Sequence, residues 1–106
     1  MVLKISNIEQ FEKLLDEQDK FFLMKHSTTC PISLNAFDQY NNFLYERDMD
    51  GYYLTVQEAR ELSNYIAEQT GIRHESPQAF YFVNKKVAWN ASHGQITVHS
   101  LSAAEE

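Results

Sequence analysis

The sequence holds one cysteine, two prolines and three glycines in 106 residues. Its single cysteine, Cys30, excludes an internal disulfide and suits a reducing compartment, the cytoplasm. Positive charge is also scarce: 9 Lys and Arg face 15 Asp and Glu, a formal net charge of −6. Nucleic-acid phosphates are bound by clustered Lys and Arg, so that class is excluded, and an anionic membrane surface is disfavoured. No apolar run approaches the roughly 18 residues needed to cross a bilayer. Met1-Val2-Leu3-Lys4-Ile5-Ser6 lacks the apolar centre of a signal peptide, and there is no repeat or low-complexity tract.

What remains is a chain with 43% hydrophobic and 13% aromatic residues, enough to bury one core, so residues 1–106 are expected to form one small domain. Ser6-Asn7-Ile8-Glu9 matches a capping box, with Ser6 as the cap and Glu9 reaching back. Ile8, Phe11, Leu14 and Leu15 then recur at helical spacing, which predicts an amphipathic helix over 7–17. Lys20 to Lys25 is an almost wholly apolar run flanked by charge, as in a strand buried on both faces of a sheet. After Cys30, apolar positions at Ile32, Ala36, Phe37, Tyr40, Phe43 and Leu44 predict a helix to about Glu46. Tyr52 to Val56 predicts a strand, and residues 58–70 a helix stopped by Thr70-Gly71. Ala79 to Val83 and Lys86 to Ala91 form a hairpin about Asn84-Lys85, with Val87, Trp89 and Ala91 on one packed face. Thr97 caps a short last helix that frays into Ala103-Ala104-Glu105-Glu106. The aromatics Phe11, Phe37, Tyr40, Phe43, Phe80 and Phe82 are assigned to the core.

Chemistry concentrates at Thr29-Cys30-Pro31-Ile32-Ser33. Pro31 suits the first helical position, where a missing N–H costs nothing, which puts Cys30 at the N-cap. Unpaired N–H groups and the dipole at a helix start favour negative charge, so a thiolate is stabilised there. Lone cysteines are often inert packing. Here the flanking proline and the polar approach His26-Ser27-Thr28-Thr29 favour a reactive sulfur. His26, Lys25, Arg73 and His74 are candidate sources of local positive charge, and no ligand spacing supports a metal at His26, Cys30 and His93.

The order helix, strand, helix, strand, helix, strand, strand, helix predicts a central mixed sheet of about four strands flanked by helices. With a cysteine opening the helix after the first strand and Pro77 ahead of the hairpin, the chain resembles the thioredoxin fold over its whole length. Ser33 stands where a second cysteine would complete a C-x-x-C motif, so the site is monothiol. Ser27-Thr28-Thr29-Cys30-Pro31-Ile32-Ser33, Glu75-Ser76-Pro77-Gln78 and Ser92-His93-Gly94 followed by Ile96-Thr97 are similar to the YtxJ-like bacilliredoxins.

That resemblance implies a thiol-disulfide oxidoreductase that removes bacillithiol from S-bacillithiolated client proteins, with Cys30 as nucleophile and Thr29, Pro31 and Ser33 favouring its thiolate. It implies a cis bond before Pro77, which brings the Ser76 backbone to the sulfur, and a substrate-binding face of Ser76, Pro77, Ser92, His93 and Gly94. The malyl carboxylates of bacillithiol would dock at the last of these segments and the helix start that follows. Bacillithiol would be a co-substrate, with no resident cofactor or metal, and a small thiol or a thiol reductase would regenerate the protein. Two other readings differ in kind. One is a thioredoxin-like binding module with a structural cysteine. The other is an iron–sulfur cluster carrier like the monothiol glutaredoxins, whose Gly-Phe after the cysteine is here Pro31-Ile32.

Overall fold

The structure, a computed structural model, describes residues 1–106 and is built on one five-stranded mixed sheet. In chain order the elements are β1 (Val2–Lys4), α1 (Ile8–Glu17), β2 (Lys20–His26), α2 (Pro31–Arg47), β3 (Gly51–Thr55), α3 (Arg60–Thr70), β4 (Gln78–Val83), β5 (Lys86–Ser92), a 3-10 turn (His93–Gln95) and α4 (Val98–Glu105). The strands lie in the order β1-β3-β2-β4-β5. β1, β3 and β2 run parallel, β4 is antiparallel to β2, and β5 is antiparallel to β4.

Alternation along β2 explains its apolar run. Phe21 and Leu23 enter a core with Phe11 and Leu14 of α1 and Leu62 and Ile66 of α3. Phe22 and Met24 enter a second core with Ala36, Tyr40, Phe43 and Leu44 of α2 and Leu101 of α4. A strand covered by helices on both sides has no solvent face to mark with polar residues. The same alternation sends Lys25 toward the first core and His26 toward the second.

Three expectations need correction, and the expected sheet gains an edge strand. Val2–Lys4 is a fifth strand, at the sheet edge, beyond the four or so expected. Its three residues are mostly exposed and take their order from pairing with β3, a long-range contact that local periodicity does not register. The cap of α1 lies one residue later: Asn7 Oδ1 accepts from the Gln10 N–H at 2.9 Å, and Gln10 Oε1 accepts from the Ser6 N–H at 2.6 Å. α3 begins at Arg60 rather than 58, because Glu58 and Ala59 turn back to donate to the Thr55 carbonyl. In the hairpin, Asn84 and Lys85 both have positive φ, as a two-residue primed turn requires. A register shift then pairs Tyr81 with Trp89 but Phe82 with Val87. This bulge turns Val87 to the first core and Trp89 to the second, so the two do not share one packed face.

α2 is anchored to β3 by a buried phenol. Tyr40 OH donates to the Tyr52 carbonyl at 2.8 Å and accepts from the Tyr52 N–H at 3.0 Å. Gly51 makes this approach possible: a Cβ there would lie 2.6 Å from Leu44 Cδ1 and 2.7 Å from Tyr40 OH. The helix that begins at the cysteine is therefore held at fixed height on the sheet.

Candidate active site

Cys30 is the N-cap of the 17-residue α2, half-buried and in extended conformation, with Pro31 at the first helical position. Its carbonyl accepts the Leu34 N–H at 3.0 Å, so the helix starts directly at this residue. No side chain caps the opening turn. Its N–H groups therefore remain available to negative charge on the neighbouring sulfur.

The loop before the sulfur is tied at two points. Ser33, fully buried, accepts from the Ser27 N–H at 2.8 Å and lies 2.9 Å from His26 Nδ1. The hydroxyl expected to stabilise the thiolate instead locks strand end to helix turn. When His26 donates through Nδ1, the Ser33 proton is free to point elsewhere; when His26 accepts, it receives that proton. Thr29 Oγ1 faces Gln57 Nε2 at 3.2 Å, and the same Gln57 nitrogen donates to Ser27 Oγ at 2.8 Å. Gln57 is a loop clamp the sequence did not reveal. It lies in a turn beside the α3 start, with no local signal that its amide reaches back to residues 27–29.

His26 is buried and stacks on Phe37 with ring centroids 4.3 Å apart. Burial lowers its pKa, so it is neutral at pH 7 and does not supply the positive charge expected of it. Phe37 is only half-buried, because it completes this stack at the core margin. Arg73 is exposed.

The Ser76-Pro77 bond is cis, in line with the resemblance. The Pro77 carbonyl accepts the His93 N–H at 3.1 Å, which pins the Ser92-His93-Gly94 turn to the proline. β4 pairs Gln78 with Lys25, so Pro77 lies level with the end of β2 that leads to Cys30, and the 93–95 turn packs on α2. The Ser76 hydroxyl is buried without a partner. His93 has φ +52° and its Nε2 lies 3.4 Å from Glu75 Oε2.

Thr97 caps α4 as expected, in a reciprocal box with Ser100. That cap and Gln39, whose Oε1 accepts from the Val98 N–H at 2.9 Å, occupy the helix start expected to hold a carboxylate. At this end His93 remains, with the Glu75 carboxylate beside its ring. No three His, Cys, Asp or Glu side chains converge as metal ligands, and no helix is long and apolar enough to cross a membrane.

The sequence model of the family described as monothiol bacilliredoxin BrxC matches residues 3–101. The chain belongs to the monothiol bacilliredoxins. This bacilliredoxin is 61% identical to a solved thioredoxin-fold protein described as a candidate oxidoreductase, over 99% of this chain and 94% of that one, with a TM-score of 0.97. Thioredoxins match the fold alone. That of Malassezia sympodialis is 20% identical over 98% of this chain and 87% of its own, with a TM-score of 0.73. That of Plasmodium falciparum is 12% identical over 99% and 96%, with a TM-score of 0.75. The bacilliredoxin is a thiol-disulfide oxidoreductase of thioredoxin fold with one cysteine.

Proposed function

We propose that the protein removes bacillithiol from S-bacillithiolated client proteins in the cytoplasm, through a mixed disulfide on Cys30. The observation that carries this reading is the sulfur at an uncapped helix start in a monothiol bacilliredoxin. The Cys30 thiolate attacks the bacillithiol sulfur, a new S–S bond forms as the client's breaks, and the client leaves as a thiolate that takes up a proton. Cys30 is oxidised in the exchange and the client cysteine reduced. An external thiol, either a small thiol or a thiol reductase, then attacks the mixed disulfide and returns Cys30 as thiolate. Ser33 has no sulfur with which to do this. Bacillithiol is the co-substrate, and the step needs no resident cofactor.

Thr29, Pro31 and Ser33 act on the sulfur by shaping the loop and the helix start. Ser76 and Pro77 offer an extended edge to the substrate, with the unpartnered Ser76 hydroxyl in reserve. Ser92, His93 and Gly94 receive the cap, and His93 is the cationic group when protonated. His93→Ala is expected to slow bacillithiol removal about two- to fivefold, as for one exposed charged contact, while attack on a small neutral disulfide keeps its rate. Stopped-flow measurement of both substrates checks this. Equal slowing of the two would remove the turn from the cap-binding face.

A further inference from the structure

Lys25 is buried completely, yet its ammonium donates only to neutral groups: the Ser63 carbonyl and His74 Nδ1, each at 3.0 Å. Its charge also lies 5.9 Å from the centre of the Phe80 ring. A buried cation is ordinarily paired with an anion, because desolvation is costly and neutral donors and acceptors offset it only in part. Burial pushes this lysine down to about 8, which leaves it mostly protonated at neutral pH. His74 is held below its usual range by burial first and then by the Lys25 charge, with Glu75 opposing in part. Its Nδ1 therefore accepts from Lys25, and the ring proton sits on Nε2, on the far side of the imidazole.

Both lysine partners line a cavity of about 130 Å³, together with Val56, Arg60 and Asn64. No acidic side chain lines it, although acids outnumber Lys and Arg in the chain 15 to 9. Glu75, next to His74 in sequence, is turned to His93. Arg60, Asn64 and His74 are exposed at the rim and Ser63 is buried at the floor.

From this convergence we infer that the cavity binds a small anion through a carboxylate or phosphate group. Arg60 is its charged arm, Asn64 and His74 are neutral donors, and Lys25 is the buried charge behind them. The anion supplies the counter-charge that Lys25 lacks. It is either a free metabolite anion or a carboxylate of the thiol carried on Cys30.

The test is a titration of the wild-type protein with malate, and separately with inorganic phosphate, at constant ionic strength, followed by backbone amide NMR. Saturable shifts are expected at Arg60, Ser63, Asn64 and His74. Arg60→Gln, an exposed change that leaves the fold intact, should weaken them about tenfold, as for one charge-assisted contact. Lys25→Met should weaken them by a similar factor while the spectrum stays folded. Linear, unsaturable shifts, or saturable ones that ignore Arg60→Gln, would overturn the site. The titration is then repeated on protein carrying bacillithiol on Cys30. Loss of malate binding identifies the thiol's own carboxylates as the occupant, and unchanged binding identifies a free anion. Neither titration of the unloaded protein involves sulfur, so its failure leaves the exchange at Cys30 standing.

Discussion

Cys30→Ala is expected to reduce bacillithiol release from a modified client to the background rate, a loss on the order of a thousandfold or more, as when other nucleophiles are removed. The chain holds no other sulfur nucleophile, since its three methionines carry thioethers. Ser33→Cys is expected to change the outcome rather than the first step. A second thiol one helical turn on attacks the captured sulfur, closes an internal disulfide and expels bacillithiol with no thiol added. The substitution carries a structural cost. Ser33 Oγ accepts from the Ser27 N–H and pairs with His26, and losing those bonds in a buried site costs about 1–3 kcal/mol. Its sulfur must also rotate from that inward position toward Cys30. Client release followed by chromatography, with and without added thiol, separates the three proteins. Normal release by Cys30→Ala would rule out the proposed chemistry.

Phe22→Ala is expected to remove about 3–5 kcal/mol of stability. The ring is 1% exposed, stacks on Tyr81 with centroids 4.3 Å apart and meets Phe43 of α2 edge-on at 5.1 Å. Its loss opens a cavity between the sheet and the helix that Cys30 begins, where flat rings on both sides cannot collapse to fill it. Against the roughly 5–15 kcal/mol of a typical domain, this is at least about a fifth of the total. Urea unfolding checks it through a lower midpoint with an unchanged slope. A loss below about 1 kcal/mol would show that α2 repacks on the sheet and is not fixed by this contact.

The parts of the fold that announced themselves in sequence were those where local pattern and burial agree. Phe21-Phe22-Leu23-Met24 reads as a strand covered on both sides because both of its faces meet helices. Thr70-Gly71 reads as a helix stop because Gly71 takes up φ +71°. Cys30-Pro31 reads as a helix start because proline tolerates only the first turn. What escaped depends on contacts distant in sequence. β1 is ordered by β3, Gln57 acts across some thirty residues on the loop before Cys30, and the bulge opposite Tyr81 and Phe82 moves Val87 to another core.

The site divides in the same way. Cys30, Pro31 and Pro77 were visible as residue types in their positions. The engagement of Ser33 with His26, and of the α4 start with Gln39, was not, because side-chain partners are chosen by tertiary approach. Lys25 is the clearest case. In sequence it looks like a charge that ends a strand; in the fold it is sealed beneath Ser63 and His74.

The most direct measurement of the central claim is the intact mass of the protein recovered, with thiols blocked, from bacillithiol-producing cells under oxidative stress. The account predicts one added mass per chain, equal to bacillithiol, located on Cys30 by peptide mapping and lost on treatment with free thiol. An unmodified Cys30 in cells whose other proteins carry bacillithiol, or an adduct of a different mass, would contradict it.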